Sequence, residues 1–253
     1  MALSKNKIKL IQSLSKKKYR DEMGLFVAEG EKLIHQLLAA QFKFQTLIAT
    51  PLMMEQFSTS NGDLVEASYD EIKKISSLIT PQEVVAIFYQ PKNNLPEALQ
   101  KNELMIALDD IQDPGNLGTI IRLASWFGIK QVICSLKTAD CYNSKVIQAT
   151  MGAIAHVNIY YSNLKDFLET AHRQQIKVYG TFLEGDNIYQ SALLPDGIIV
   201  MGNEGNGISP DIEKLIDHKL FIPTFATNGQ NVESLNVSVA AAIICSEFKR
   251  KTI

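Results

Sequence analysis

Cysteine is scarce and unpatterned. Cys134, Cys141 and Cys245 are the only three, too few for a disulfide framework and without the paired spacing of a zinc site. The four histidines, His35, His156, His172 and His218, stand far apart, so no structural metal is expected. No stretch approaches the ~20 apolar residues of a membrane span, and the opening MALSKNKIKLIQSLSKKK has no signal-peptide core. Internal repeats and low-complexity tracts are missing too. These absences favour a soluble, cytoplasmic protein with reduced thiols and no membrane partner.

Net charge is also nearly absent. The 253 residues carry 25 Lys+Arg against 27 Asp+Glu, a formal charge of −2, and that single number gives no hint of a nucleic-acid partner. Its placement is uneven. Residues 1–26 hold seven basic side chains (Lys5, Lys7, Lys9, Lys16, Lys17, Lys18, Arg20) and two acidic ones, a local +5 that leaves −7 for the rest. A basic end on a mildly acidic body predicts a local anion contact.

What is present is an ordinary globular composition, 46% hydrophobic and 21% charged. Residues 1–94 read as a small mixed domain: a basic helix near Lys5–Lys18, a helix over Glu29–Ala40, and strand-like runs at Gln45–Thr50 and Glu83–Tyr89. The segment QPKNNLPEALQ at 90–100 has linker composition, which sets the boundary near 95. Over 95–253, strands expected at 104–108, 131–135, 157–161, 177–182, 197–201 and 220–223 alternate with helices expected at 118–127, 144–154, 163–174, 211–219 and 234–249. Apolar strands separated by helices specify a parallel sheet in an α/β domain, with ligands beyond the strands' carboxyl ends.

Three loops at such ends carry unusual residues. After Leu108 comes DDIQDPGNLGTIIRLA, in which Asn116 reads either as a helix cap or, with Arg122, as a donor pair for an anion or hydroxyl. After Met201 comes GNEGNGIS. Three glycines in six residues suggest backbone approaching a ligand, although neither a Walker lysine nor G-x-G-x-x-G is present. Glu204 there is a solvated turn residue, a ligand acceptor or an orienting partner for Arg122. The third segment runs from Ile222-Pro223 to Ser234-Leu235-Asn236-Val237-Ser238-Val239-Ala240, with Ser234 as an expected N-cap and Asn236 as a second local hydrogen-bonder.

Taken together, N-x-G-x-x-x-R-x-A at 116–124, G-N-E-G-N-G at 202–207 and I-P…S-L-N-V-S-V-A ending at Ala240 resemble the three motifs of the SpoU/TrmH group of SPOUT RNA methyltransferases. Phe26-Val27-Ala28-Glu29-Gly30 and the helix after it resemble the small L30e-like RNA-binding domain that many members carry. The resemblance implies transfer of a methyl group from S-adenosylmethionine to a ribose 2′-hydroxyl of RNA, on a sheet closed by a deep trefoil knot, in a homodimer. By motif it places Gly202, Ile222 and Leu235, with Thr181 and Leu183 as weaker candidates, at the cofactor, and Asn116, Arg122, Glu204, Ser234 and Asn236 in the catalytic neighbourhood. Arg122 is expected to hold a phosphate or the developing alkoxide, with Asn116 fixing its fork and Ser234 and Asn236 positioning the ribose. Gly202→Val is expected to abolish cofactor binding without unfolding the chain. Lys16, Lys17, Lys18 and Arg20 are expected to contact RNA phosphates. Ribosomal RNA is the expected substrate. Transfer RNA, a base-directed transferase and a catalytically idle RNA-binding factor of the same fold are the alternatives. The loop 224–233 is longer than the family's usual one, which leaves the shape of the cofactor wall open.

Overall fold

The computed structural model describes residues 3–57, 62–92, 94–96, 98–99, 102–225 and 234–250. The chain divides into two compact units, one comprising 1–92 with 140–156 and the other 93–139 with 157–253. The segment 140–156, which the sequence places in the second domain, therefore groups with the first unit although it lies in the chain between two strands of the second.

The first unit contains α1 (Lys5–Ser13), α2 (Lys17–Met23), β1 (Leu25–Glu29), α3 (Glu31–Ala39), β2 (Phe44–Ala49), α4 (Pro51–Met54), β3 (Asp63–Glu66), α5 (Tyr69–Ile75) and β4 (Val84–Tyr89). Its four-stranded sheet has the order β1-β4-β2-β3, antiparallel except for the β2/β3 pair. Ile11, Leu14, Leu25, Ile48, Ile72 and Ile87 lie in its core. The expected single basic helix is two. The break has a physical cause in Arg20, whose guanidinium donates to the carbonyls of Leu14 (2.7 Å) and Ser15 (2.9 Å), closing the exposed end of α1 with a cation where helix carbonyls lack partners. The helix expected from Glu29 starts at Glu31, and Glu29 ends β1.

The second unit begins with β5 (Leu104–Leu108), α6 (Pro114–Trp126) and β6 (Gln131–Ser135). The chain then enters the first unit for α7 (Ser144–Thr150), which a short 3₁₀ turn follows. It resumes with β7 (Asn158–Ser162), α8 (Leu164–Arg173), β8 (Val178–Asn187), β9 (Gly197–Met201), α9 (Pro210–Glu213), β10 (His218–Phe221) and α10 (Val237–Arg250). The sheet has the order β10-β8-β9-β5-β6-β7, and each adjacent pair is parallel. All five residues of β5, β6 and β9 are buried, as expected for strands covered on both faces. Strands after β5 run outward to β7, and the chain then returns to lay β9 on β5's other side. That reversal makes the carboxyl ends of β5 and β9 the switch point where a ligand crevice forms in open α/β sheets.

Four helices differ from expectation: α6 begins at Pro114 rather than 118 and α7 ends at Thr150 rather than 154, and the other two are α9 and α10. α9 is a single turn rather than 211–219, because β10 already begins at His218. α10 begins at Val237 rather than Ser234. Among the described residues no helix is long and apolar enough to cross a membrane.

Candidate active site

The loops after β5 and β9 meet through side chains. Asp113 caps α6, its Oδ1 accepting the Asn116 backbone N–H at 2.8 Å, with Pro114 at the first helical position. Asn116 is thus not the cap that the turn composition suggests, and its side chain is free for longer-range contacts. Its Nδ2 donates to Glu204 Oε1 at 3.1 Å, and its Oδ1 accepts from Asn236 Nδ2 at 3.0 Å. Asn236 caps α10: its Oδ1 accepts the Ser238 backbone N–H at 2.9 Å and the Ser238 hydroxyl at 2.6 Å. Ser234 is exposed, two residues ahead of that cap.

This relay has one direction. A carboxylate only accepts, so Asn116 must turn its NH₂ towards Glu204 and its oxygen towards Asn236. Asn236, with its oxygen committed to the helix cap, must in turn offer its NH₂. Glu204 also takes the backbone N–H groups of Asp113 (3.3 Å) and Gln112 (3.4 Å), at the positive end of α6 where a negative charge is favoured. Residues from all three loops are therefore tied at one point.

Arg122 does not join that point within the chain. It lies six residues beyond Asn116 on α6, roughly 120° around the helix axis, and it is exposed. Asn116 and Glu204 bond to each other rather than to its guanidinium. The expected Asn116–Arg122 fork and the Glu204–Arg122 pair are both corrected.

The glycines of the β9 loop also need revision. A Cβ on Gly202 would sit 2.3 Å from the carbonyl carbon of Gly207 and 2.3 Å from the nitrogen of Ile208, so the loop's own return strand demands glycine there. Gly207 has φ +68°, a left-handed conformation suited to glycine. Gly205 has only the Asn203 side chain, at 3.6 Å, near its would-be Cβ. Most of the glycine density belongs to the hairpin rather than to an approaching ligand. Gly202→Val would therefore distort the loop, which corrects the expectation of a lost ligand on an intact site.

The organiser of that hairpin is Asn203, which sequence reasoning missed. Its Nδ2 donates to the Asp110 carbonyl at 2.7 Å, and its Oδ1 accepts the N–H groups of Gly205 (2.9 Å) and Asn206 (3.0 Å). Asparagine two residues ahead of a glycine is a turn signal that was available in the sequence. Buried Asp109 adds a second tie, accepting the Ser209 N–H at 2.7 Å.

The residues assigned to the cofactor lie in β8, just after β9 and β10, and ahead of α10, where a partly apolar ligand would meet them. Gly202 is buried at the end of β9, and Ile222 is half-buried just after β10. Thr181 donates to the Val200 carbonyl at 3.3 Å. Leu183 and Leu235 are exposed at 74% and 47%, large apolar surfaces that such a ligand would cover. Thr181 and Leu183 belong to an excursion: β10 pairs with β8 at Tyr179 and Gly180, then again at Asp186 and Asn187. The expected long loop 224–233 falls mostly on residues 226–233, outside the described residues.

Of the four side chains assigned to RNA, Lys16, Lys17 and Lys18 are exposed. Lys17 and Lys18 pair with Asp21 (3.4 Å) and Glu22 (3.9 Å) one turn on, exposed ion pairs of little energetic consequence. Arg20 is a correction. It is 2% exposed and donates to Asp140 Oδ2 from Nε at 2.9 Å and from Nη2 at 2.5 Å. Four of its five N–H donors are thus committed within the fold, and its burial keeps the guanidinium from a phosphate at the surface.

Comparisons with known proteins identify the family. The SpoU rRNA Methylase family matches residues 103–246, and the MRM3-like substrate binding domain matches residues 5–86. The chain is 31% identical over 245 residues to the 23S rRNA (guanosine(2553)-2′-O)-methyltransferase RlmP of Bacillus subtilis, covering 94% of each. It superposes on a TrmH-family protein from Porphyromonas gingivalis with TM-score 0.90 and 40% identity, over 99% of this chain and 100% of that one. An AdoMet-bound rRNA methyltransferase from Sinorhizobium meliloti gives TM-score 0.88 and 30% identity, over 100% and 97%. The parallel α/β sheet carries the first two motif loops at its switch point, after β5 and β9, and the chain belongs to the SpoU rRNA methylase family. It is an S-adenosylmethionine-dependent RNA 2′-O-methyltransferase.

Proposed function

We propose that this enzyme methylates a ribose 2′-hydroxyl of ribosomal RNA, with Asn116, Glu204 and Asn236 as the hydrogen-bonded frame of the reaction site and the exposed Arg122 and Ser234 as its further contributors. The observation that carries the reading is the Asn236–Asn116–Glu204 relay, which joins the three motif loops at the carboxyl ends of β5 and β9. A binding module has no evident need for three polar side chains locked in a single orientation. S-adenosylmethionine supplies a methyl group already activated on a sulfonium. Gly202, Ile222, Leu235, Thr181 and Leu183 would hold it, so what the chain must add is alignment and help for a weak nucleophile. An arginine is a permanent cation and stabilises a developing alkoxide or grips the neighbouring phosphate rather than accepting a proton.

The same reading includes a homodimer. Trp126 is 84% exposed on α6 and Val239 48% exposed on α10, and large exposed apolar side chains are expected contact points. Arg122 lies one turn before Trp126, on the same face of α6, so a partner docked there would bring Arg122 to a substrate that its own chain's Asn116 does not share with it. We also place the enzyme in the cytoplasm, where its three buried cysteine thiols stay reduced, and expect the trefoil knot within the second unit. Lys16, Lys17 and Lys18 would meet RNA phosphates.

The test is single-turnover methyl transfer to a ribosomal RNA transcript by Arg122→Lys. A fall of at least tenfold in rate, with RNA and cofactor affinities unchanged, is expected, because a point charge lacks the planar fork. Full rate would remove Arg122 from the chemistry.

A further inference from the structure

The first unit holds an open cavity of about 320 Å³ that the methyltransferase motifs do not touch. Its walls come from the end of α1, from β1, from the end of α5 and from Tyr142 and Ser144. The last two lie outside the residues matched by the substrate-binding domain, in the segment that the chain sends from its other sheet into this unit. The volume lies at the low end of the ~300–1,000 Å³ range of small-molecule sites, room for one nucleoside rather than a stacked run.

The lining is chemically mixed. Ile11, Leu14 and Val27 give it apolar floor, while Gln12, Ser15, Lys74 and Ser144 give it polar edges. Gln12 donates its amide N–H to the Lys74 carbonyl at 3.2 Å, which leaves its oxygen as an acceptor. The Tyr142 ring is braced against Phe26 with centroids 4.8 Å apart. Burial, with Cys141 and Asp140 beside it, pushes the Tyr142 phenol up, which keeps its hydroxyl a donor.

Charge selects what enters. Glu29 lines the cavity and is 3% exposed. Its carboxylate is held by the Ser77 N–H (2.9 Å), the Ser77 hydroxyl (2.6 Å) and the Ser76 hydroxyl (2.5 Å). Hydrogen bonds from neutral donors stabilise that anion without cancelling its charge, so a phosphate inside would meet a buried negative wall. A neutral base and ribose would not be repelled by it, and Lys74 is exposed to take a phosphate outside. RNA-binding proteins read single nucleotides in this way, by splaying a base into a pocket with an aromatic wall and hydrogen-bonding edges.

Resting on the reading that the first unit binds the RNA substrate, we infer that this cavity is a subsite for one unpaired nucleotide of that RNA, base and ribose inside and phosphate at Lys74. Base contacts specify and phosphate contacts position, so the subsite contributes to choosing the RNA.

The test uses the full chain with a ribosomal RNA transcript, measuring affinity across a salt series, S-adenosylmethionine affinity and thermal melting. Ser144→Trp, which fills the cavity, is expected to weaken RNA binding about tenfold while leaving the salt slope, the cofactor affinity and the melting temperature unchanged. A triple Lys16→Glu, Lys17→Glu, Lys18→Glu variant is expected to flatten the salt slope instead. Should Ser144→Trp fail to fold, photocrosslinking of 4-thiouridine-substituted transcript to the wild-type protein decides, with label expected on the peptide Thr138–Lys145. Wild-type RNA affinity in a folded Ser144→Trp, or label absent from that peptide, overturns the subsite alone. Failure of the wild-type chain to bind the transcript overturns both the subsite and the reading beneath it.

Discussion

Asn116 joins two hydrogen bonds whose directions are forced, one to Glu204 and one from Asn236. Asn116→Ala breaks both. Asn116 is half-buried and both its partners are exposed, and each such bond is worth about 0.5–1.5 kcal/mol net, so stability should drop little. Activity depends on placement to within an ångström and should fall ~100-fold. Methyl-transfer rate beside a thermal melt checks both halves. Gly202 and Gly205 make a paired prediction. Gly202→Val drives a side chain into the backbone of Gly207 and Ile208 and is expected to lower melting temperature, cofactor affinity and rate together. Gly205→Ala makes only an ordinary van der Waals contact with the Asn203 side chain, at 3.6 Å, and is expected to leave all three near wild type, as calorimetry and melting would report. The family resemblance of the three motifs put Asn116, Glu204 and Asn236 in one neighbourhood, together with Arg122 and Ser234. It could not show that they bond to one another, nor that Asn203 folds the hairpin carrying Glu204, because those facts depend on which strands become neighbours.

Among the elements, Arg20 marks the limit of reading charge from sequence. It stands beside three exposed lysines in a basic stretch, yet it caps α1 and forms a buried ion pair with Asp140. Its partner is 120 residues away in the chain, where no local pattern could reveal it. Removing one member of a buried pair leaves the other charge uncompensated, at about 3–5 kcal/mol. Arg20→Ala should therefore unfold the first unit at lower denaturant concentration, whereas Lys18→Ala should not; equilibrium unfolding followed by circular dichroism separates them. The strands were legible where they are buried on both faces: β5, β6 and β9 match their apolar runs, since a continuous apolar stretch bounded by turns has few other fates. β3, with the burial pattern exposed, half-buried, half-buried, exposed, carried no such signal. α6 was expected four residues late because Asp113-Pro114-Gly115-Asn116 reads as a turn, whereas Asp113 is the cap and Pro114 the first helical residue.

For the whole molecule, division of the charge survives in altered form. The basic end remains available through Lys16, Lys17 and Lys18, while Arg20 is withdrawn into the fold. A dimer through α6 and α10 predicts that Trp126→Asp shifts the molar mass by light scattering from twice the chain mass to that of one chain. Methyl transfer should fall with it if Arg122 works across the interface. The central claim is the chemistry itself, and it is tested by mapping 2′-O-methyl groups in ribosomal RNA from cells with and without this protein, then adding the purified enzyme and S-adenosylmethionine to the unmodified RNA. The account predicts that one ribose loses its methyl group in the deletion and regains it in vitro with the wild-type protein but not with Asn116→Ala. A methyl group restored on a base, or ribose methylation unchanged by the deletion, would contradict it.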